Sequence, residues 1–265
     1  MKNLIKSLLF LGLSTVAFAK PVVLVSYYDV FGKGKFNNSE KVALGLALAL
    51  KNESFEVHLC PLPTAYDRGY AAVENCLKNL SVRPIMYLGL GEFGCAVKME
   101  TIARNFDKNP KTPDNDGILR NDVIIPNAPK AISFNYPAPE MYCSLPIKER
   151  GDMAVSNSAG SFVCNNTAFQ FAHYYPEVPA GFIHVPANSC RSLEALTSGA
   201  IQSLATMLIK AVDTLEVRNG AGIKLPLTKN ELEPLRSQKK DLCTREYFKR
   251  SKGVEEIGFW SFLGG

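Results

Sequence analysis

The fold class follows from one alternating stretch, which opens with Val22-Val23-Leu24-Val25-Ser26 and closes with Pro84-Ile85-Met86-Tyr87-Leu88-Gly89. Between these two apolar runs lie a third, residues 55–60, and two helical patterns, residues 39–50 and 70–80. Strands and helices in regular alternation are typical of an α/β fold built on parallel strands. We therefore predict a mostly parallel, twisted sheet sandwiched by helices.

The same alternation continues to residue 217. We predict strands at residues 131–135, 153–156 and 181–185, and a helix that starts near Cys164. A closing helix is predicted from residue 192 to about 217, because its apolar residues recur every three or four positions. Residues 107–130 contain four prolines and little periodicity, which predicts a long excursion rather than part of a sheet.

The first 19 residues have the pattern of a secretory signal peptide. Lys2 and Lys6 precede an apolar run over residues 8–18, and Ala17-Phe18-Ala19 forms a small-residue cleavage site. We therefore expect an exported protein, periplasmic or secreted, with an α/β domain over residues 20–216. A C-terminal extension, residues 217–265, is expected to pack on that domain with Trp260 and Phe262 as anchors. After the leader, no segment is expected to reach the roughly 20 apolar residues of a membrane span.

Composition and charge exclude several classes of protein. The chain has 265 residues, 46% of them hydrophobic and 21% charged, as in globular rather than disordered proteins. Its net charge of +5 lies mostly in the leader and in residues 217–265, where ten Lys and Arg face six Asp and Glu. Residues 20–216 are therefore near neutral. Because a nucleic-acid binder concentrates positive charge on its folded domain, no nucleic-acid partner is expected.

The chain contains seven cysteines: Cys60, Cys76, Cys95, Cys143, Cys164, Cys190 and Cys243. Export makes disulfides possible, but an odd number leaves at least one thiol unpaired. Six cysteines can pair in fifteen ways, among which the sequence does not choose. The unpaired cysteine is either accidental or a working nucleophile.

The most informative segment for chemistry is Ser156-Asn157-Ser158-Ala159-Gly160-Ser161-Phe162-Val163-Cys164-Asn165, which leads from a predicted strand into a predicted helix. A cysteine at a helix start lies beside free N–H groups and the positive end of the helix dipole. These groups lower the pKa of a thiol and can hold an oxyanion. Cys164 is therefore a candidate nucleophile, and a buried or disulfide-bonded cysteine is the alternative.

Three histidines, His58, His173 and His184, are available as a base for this thiol. His184 lies late in an apolar strand, where the catalytic groups of open α/β folds collect. His58 lies on an alternating, solvent-facing pattern and is interpreted as structural. His173 lies too far along the predicted helix to reach Cys164.

Two further features lie between residues 87 and 105. Gly89-Leu90-Gly91-Glu92-Phe93-Gly94 matches the dinucleotide-binding fingerprint. It follows the third strand rather than the first, so we interpret it as a turn that lets the backbone approach a small ligand. Glu100 is a candidate to orient an imidazole, with a surface carboxylate as the alternative. No metal site and no cofactor is expected.

Together these segments resemble the pyroglutamyl peptidase I family of cysteine peptidases, which remove N-terminal pyroglutamate. The resemblance rests on the Cys164 motif, on Phe182-Ile183-His184-Val185-Pro186 and on a glycine-rich turn leading to Glu100-Thr101-Ile102-Ala103-Arg104-Asn105. Further landmarks are Asp29-Val30-Phe31-Gly32, Pro113-Asp114-Asn115-Asp116-Gly117 and Leu145-Pro146-Ile147-Lys148. The resemblance covers residues 21–212 and implies a phosphorylase/hydrolase-like α/β fold.

The resemblance implies a triad in which Cys164 is the nucleophile, His184 the base and then the acid, and Glu100 the group that orients His184. It also implies a pocket for the pyroglutamyl ring, assigned to Tyr28, Phe31, Asn37, Gly89, Leu90 and Gly91. Peptides with N-terminal pyroglutamate are the implied partners, and a homo-oligomer is allowed because family members are often oligomeric. For an exported member we expect the other six cysteines to pair and to leave Cys164 free.

Two alternatives remain open. Tyr27, Tyr28 and residues 90–94 depart from the family pattern around the substrate ring, which favours a related cysteine amidase that accepts a different small acyl group. A noncatalytic binder on the same fold would instead use Glu92, Phe93 and the basic extension to dock a partner.

Overall fold

A computed structural model describes residues 19–220 and 242–250. The predicted signal peptide up to residue 18 and the predicted anchors Trp260 and Phe262 lie outside the described residues. The strands of the described part are β1 (Val22–Tyr28), β2 (Glu56–Leu62), β3 (Met86–Glu92), β4 (Val97–Glu100), β5 (Ile102–Arg104), β6 (Asp107–Asn109), β7 (Arg120–Asp122), β8 (Ala131–Ser133), β9 (Met153–Ser156) and β10 (Ala180–Val185). Its helices are α1 (Asn38–Ala49), α2 (Tyr66–Lys78), α3 (Ala138–Ser144), α4 (Ile147–Gly151), α5 (Val163–Tyr174), α6 (Leu193–Gly220) and α7 (Leu242–Arg250).

A six-stranded sheet in the order β2-β1-β3-β10-β4-β9 forms the centre of the fold. Strands β2, β1, β3 and β10 are parallel to one another. Strand β4 runs antiparallel to β10, and β9 runs parallel to β4. The prediction of a mostly parallel α/β sheet is confirmed, with one reversed pair of strands at one end.

Helices cover both faces of this sheet. On the first face, α1, α3, α6 and α7 pack over one apolar core, and on the second face α2 and α5 pack over another. Strand β10 shows the division, because Ile183 and Val185 belong to the first core and Phe182 to the second. Successive side chains of a strand point to opposite faces, so both faces of a central strand can be apolar.

The structure corrects the prediction for residues 107–135. The long excursion contains sheet elements after all, because β6 and β7 pair as a short antiparallel ladder. The strand predicted at residues 131–135 is limited to β8, which pairs with β5 in a separate two-stranded sheet. Each ladder has three residue pairs, too few to produce a periodic apolar pattern in the sequence.

Helix α2 begins at Tyr66 rather than near residue 70. The Tyr66 N–H donates to Asp114 Oδ2 over 2.8 Å, and Asp114 Oδ1 accepts from the N–H groups of Asp116 and Ile118. A carboxylate at a helix start satisfies a free N–H group and complements the helix dipole. Because this carboxylate comes from a distant loop, no local pattern around Tyr66 could reveal it.

Helix α6 is long and apolar enough, by length and composition alone, to cross a membrane, and it is the one such helix in the described ranges. The expectation that no segment after the leader reaches this size is therefore wrong. In this fold α6 packs against α1 and α3, and Leu204, Leu208 and Val212 on its apolar side are buried.

Three disulfides join separate elements. Cys60–Cys76 links β2 to α2, Cys95–Cys190 links the turn after β3 to the loop after β10, and Cys143–Cys243 links α3 to α7. Cys164 is the free cysteine. The expectation that the other six cysteines pair is therefore confirmed, with a connectivity that the sequence left open.

Helix α7, within the C-terminal extension, is an element that the composition of the extension did not predict. It packs on α3 and β9. Tyr247 is buried and its ring centroid lies 5.6 Å from that of Tyr142, whose hydroxyl donates to Glu246 over 3.0 Å. Through Tyr247, helix α7 thus contributes to the core on the first face of the sheet.

Candidate active site

The side chains of Glu100 and His184 meet on the second face of the sheet. In the antiparallel pairing of β4 with β10, Glu100 lies opposite Phe182, and Lys98 lies opposite His184. This register brings Glu100 and His184 together, and Glu100 Oε1 lies 2.7 Å from His184 Nδ1. Glu100 is 1% and His184 4% exposed. The alternative that Glu100 is a surface carboxylate is therefore wrong. Because a carboxylate accepts hydrogen bonds, His184 carries its proton on Nδ1, and Nε2 is free to accept a proton.

The thiol of Cys164 lies on the same face, in the first turn of α5. Gly91 of β3 pairs with His184 of β10, and a Cβ atom at Gly91 would lie 2.8 Å from Cys164 Sγ. Any side chain at position 91 would therefore displace the sulfur. Adjacent strands lie about 4.8 Å apart, so the thiol over β3 and the imidazole on β10 are neighbours.

The start of α5 presents free backbone donors to this thiol. Phe162, the N-cap residue, makes no side-chain cap hydrogen bond. The first N–H groups of a helix have no acceptor within the helix. The backbone N–H of Cys164 lowers the pKa of its thiol. These donors are placed to stabilise negative charge on the sulfur or on an atom bonded to it.

The resting thiol is nevertheless not acidic. Burial and the negative charge of Glu100 raise the pKa of the Cys164 thiol to about 12, the backbone hydrogen bond lowers it by less, and Glu92 raises it further. The backbone at the helix start thus lowers the pKa of this thiol, as predicted, but the net shift is upward. Loss of solvation and two carboxylates outweigh the helix dipole, so thiolate formation needs a proton acceptor beside the sulfur.

Gly89, Leu90 and Gly91 lie within β3 and do not form the predicted turn. A Cβ atom at Gly89 would lie 2.5 Å from the Phe182 ring, so Gly89 makes room for that ring on the second face, as Gly91 does for the Cys164 sulfur. The Leu90 side chain is buried in the core of the first face and does not reach the site. Because β4, not a helix, follows this segment, the dinucleotide-binding interpretation is excluded.

Aromatic side chains lie on the side of Cys164 that is nearest β1 and β2. The Phe31 ring, 38% exposed, meets the Phe162 ring edge-on at 5.3 Å, and Tyr66 meets Phe162 in the same way at 5.3 Å. We call Phe31, Phe162 and Tyr66 the aromatic wall. Sequence reasoning missed two of its members: Phe162 could have been found from its place in the Cys164 motif, but Tyr66 comes to the site only through the fold.

Two contacts fix the chain around this wall. The Tyr28 hydroxyl is buried and donates to the Val163 carbonyl over 3.2 Å, so Tyr28 supports the main chain before Cys164 rather than offering an open ring surface. The Gly32 N–H donates to Asn115 Oδ1 over 2.9 Å, and Asn115 Nδ2 donates to the Val30 carbonyl over 2.7 Å. Asn115 of the 113–117 landmark thus holds the loop that bears Phe31.

Asn37 does not face the site, contrary to its assignment to the substrate pocket. Its buried side chain caps α1 by accepting from the Ser39 N–H over 3.0 Å, and its Nδ2 donates to the Asp29 carbonyl over 3.0 Å. Both ends of the amide are therefore used inside the protein.

The other histidines lie away from this cluster. His58 is exposed on β2, as expected from its solvent-facing pattern. His173 stacks on Phe169 with ring centroids 6.1 Å apart, near the end of α5. Within residues 19–220 and 242–250, no group of three or more His, Cys, Asp and Glu side chains could hold a metal ion.

Comparison with known proteins places the chain in a family. The family model described as pyroglutamyl peptidase matches residues 21–218, which include the whole cluster described above. The chain belongs to the pyroglutamyl peptidase family. It is thus a member of a family of cysteine-type peptidases, and the resemblance noted in the sequence is confirmed.

Relatives and solved structures agree with this membership. The chain is 32% identical over 200 residues to pyrrolidone-carboxylate peptidase 1 of Caldanaerobacter subterraneus subsp. tengcongensis, covering 72% of this chain and 94% of the relative. The crystal structure of pyroglutamyl peptidase I of Bacillus amyloliquefaciens shares the fold with a TM-score of 0.63 at 24% identity, over 72% of this chain and 97% of that one. The pyrrolidone carboxyl peptidase of Fervidobacterium islandicum matches with a TM-score of 0.59 at 27% identity, over 72% and 96%.

Proposed function

We propose that this member of the pyroglutamyl peptidase family is a cysteine exopeptidase that removes N-terminal pyroglutamate from peptides. The proposal rests above all on one observation. A buried Glu100–His184 hydrogen bond of 2.7 Å lies beside the only free thiol of the described chain, at an uncapped helix start. This is the arrangement of nucleophile, base and orienting group that acyl transfer requires.

In the proposed first step, the sulfur of Cys164 attacks the carbonyl carbon that joins pyroglutamate to the next residue. The thiol proton passes to His184 Nε2, and the imidazolium is stabilised by Glu100 at Nδ1. The negative charge that develops on the carbonyl oxygen is held by backbone N–H groups at the start of α5. Because the resting thiol has a raised pKa, attack and proton transfer belong to the same event.

In the second step, the carbon–nitrogen bond breaks as His184 returns its proton to the leaving amine. Pyroglutamate remains bound to Cys164 as a thioester. His184 then takes a proton from water, the hydroxide attacks the thioester carbon, and the sulfur leaves with that proton. Pyroglutamic acid is released and the resting thiol is restored.

The aromatic wall supports a pyroglutamyl substrate. The lactam ring is neutral, so it is best held by apolar surfaces and a few backbone hydrogen bonds rather than by an ion pair. Phe31 and Phe162 supply such surfaces at the start of helix α5, the helix that bears Cys164.

The test is hydrolysis of pyroglutamyl-7-amido-4-methylcoumarin by purified protein in a mild thiol reductant. We expect release of the coumarin by the native protein. A loss on the order of 10⁴-fold in kcat is expected for Cys164→Ala and for His184→Ala, because members of a triad act as a unit. His58→Ala is the matched control, since it removes an exposed imidazole away from the site.

Other results would contradict the proposal. No release, with a Cys164 that an alkylating reagent still labels in a His184-dependent way, would point to an amidase for another acyl group. A Cys164 that resists the reagent in native protein would point to a noncatalytic binder. Equal activity of Cys164→Ala and the native protein would remove Cys164 from the mechanism.

We further propose that the protein acts outside the cytoplasm. Three disulfides and the leader pattern support this, because disulfides persist in oxidising compartments. Intact mass of protein expressed with its leader should correspond to a chain that starts at Lys20 and has lost one hydrogen at each of the six bonded cysteines. A mass that retains Met1 and all thiols would contradict export.

A further inference from the structure

Phe93 presents an open aromatic surface beside the His184 imidazole. Its side chain is 60% exposed, although it follows directly after the buried strand β3. The centroid of its ring lies 5.5 Å from that of His184, with 52° between the ring planes. The role of Phe93 is not explained by the core, which it does not enter, or by the triad, to which it contributes no proton or charge.

The main chain at Phe93 is held in place by hydrogen bonds and a disulfide. The Phe93 N–H donates to the Val185 carbonyl over 3.0 Å. The carbonyl of the following residue, Gly94, accepts from the Ala187 N–H over 2.7 Å. The disulfide Cys95–Cys190 closes the same turn. The Lys98 ammonium lies 4.5 Å from the centroid of the Phe93 ring. Because the main chain that bears Phe93 is held in place, ligand binding orders little more than the two side-chain torsions of this residue.

In the proposed reaction, the group next to the Phe93 ring is the leaving peptide. His184 Nδ1 is occupied by Glu100, so the proton for the leaving amine comes from Nε2. The aromatic wall lies toward β1 and β2, whereas His184 lies on β10, on the other side of the thiol over β3. With the acyl group against the wall, the leaving peptide would extend past the imidazole and bring its first residue to Phe93.

We propose that Phe93 is a specificity-determining residue that binds the side chain of the residue after pyroglutamate and favours aromatic and large apolar side chains there. The inference rests on the proposed function. The physical basis is burial of apolar surface on both rings and the attraction between an aromatic pair. Small side chains would leave the Phe93 ring in water and gain neither contribution.

The experiment compares three peptides, pyroglutamyl-Ala-Gly, pyroglutamyl-Leu-Gly and pyroglutamyl-Phe-Gly, by quantifying the released dipeptide. For the native protein we expect kcat/KM for the Phe peptide to exceed that for the Ala peptide about tenfold. Phe93→Ala should bring this ratio to about one and leave kcat/KM for the Ala peptide within about twofold. Phe93→Tyr should retain most of the preference, because the ring remains.

The matched control is Tyr174→Ala, which removes an aromatic side chain of similar exposure, 52%, at the far end of α5. It should change none of the three values. Cleavage of all peptides with a ratio near one in the native protein, or a preference that survives Phe93→Ala, would overturn the inference and leave the proposed function intact. No cleavage of any peptide would overturn the proposed function, and the inference with it.

Discussion

At the scale of single residues, Cys164 is controlled by its neighbours rather than by its helix. Burial and Glu100 raise the pKa of its thiol to about 12, so a thiol with no proton acceptor would be almost fully protonated near neutral pH. The sulfur can attack only as its proton passes to His184, which is hydrogen-bonded to the buried Glu100 carboxylate. Reactivity of the sulfur should therefore depend on the imidazole.

We predict that His184→Ala slows alkylation of Cys164 by iodoacetamide at pH 7 by about 10²-fold or more. The sign follows from the raised pKa of the native thiol: little thiolate exists at pH 7, so alkylation there depends on a base that accepts the proton as the sulfur attacks. Without His184 the rate should be low at pH 7 and should rise steadily with pH. The native rate should exceed the variant rate most at pH 7 and depend less steeply on pH, because His184 accepts the proton during attack. Mass spectrometry of the labelled protein over a series of pH values measures both rates.

His58→Ala serves as the control for this experiment, and Cys164→Ser should take up no label. If the His184→Ala variant is alkylated as fast as the native protein at pH 7, the thiol ionises without the imidazole. The role of His184 as proton acceptor would then have to be abandoned.

The sequence identifies reactive residues better than pocket residues. Cys164, His184 and Glu100 lie in distinctive motifs, and the fold brings all three to one face of the sheet. Leu90 and Asn37 were assigned to the pocket by the same resemblance, yet Leu90 points into the opposite core and Asn37 caps α1. Which way a side chain points depends on strand phase and on partners elsewhere in the chain, and a motif does not record it.

At the scale of elements, the start of α1 is a junction between the helix and the site. Asn37 caps the helix and ties it to the Asp29 carbonyl. At the next residue, the Asn38 N–H donates to Glu92 Oε2 over 2.7 Å, and Asn38 Nδ2 donates to the Pro186 carbonyl over 2.7 Å. Helix α1 therefore supports the ends of both β3 and β10, which flank the thiol and the imidazole.

We predict that Asn37→Ala lowers the free energy of unfolding by about 1–2 kcal/mol, because a capping side chain and its helix N–H partner are lost. The KM for a pyroglutamyl substrate should change less than about threefold, since the Asn37 amide makes its bonds within the protein. Urea denaturation and steady-state kinetics measure the two effects. Asn37→Ser, which can still cap the helix, should recover part of the stability. A large rise in KM with unchanged stability would restore Asn37 to the pocket.

The elements themselves were predictable where their periodicity was strong. The alternating units from β1 to β3, helix α5 and strand β10 appear close to their predicted positions. The reversal of β4 and β9 was not predicted, because strand direction is set by the connections and not by the apolar pattern of four-residue strands. Helix α7 was missed for a related reason: a disulfide and packing on α3 stabilise it, whereas its own sequence is mostly polar.

At the scale of the whole molecule, the proposed reaction uses neighbouring strands in order across the sheet. The aromatic wall lies toward β1 and β2, the thiol lies over β3, the imidazole is on β10 and its carboxylate partner is on β4. The ladder β6–β7 joins this arrangement through Asp107, whose Oδ2 accepts from Asn166 Nδ2 over 2.6 Å. Asn166 is on α5, two residues after Cys164. The ionisation of Asp107 is therefore linked to packing beside the site.

We predict that Asp107 makes the protein less stable as pH rises from about 4 to 7. Burial raises the pKa of this carboxyl to about 7, although the hydrogen bond from Asn166 and the charge of Arg120 oppose the shift. In the unfolded chain the pKa is near its ordinary value of 3.8. The folded protein thus binds a proton that the unfolded chain has lost throughout this range, and the stability it provides is gone once the pH passes the folded pKa.

Asp107→Asn tests this assignment, because the amide keeps an oxygen for Asn166 but cannot ionise. Measured by urea denaturation without reductant, its free energy of unfolding should match that of the native protein near pH 4. It should exceed the native value by about 1–3 kcal/mol at pH 8, because only the native protein then buries a charge. Curves for the two proteins that run parallel between pH 4 and 8 would show that Asp107 keeps an ordinary pKa in the fold. The pH dependence would then have to come from other carboxyl groups.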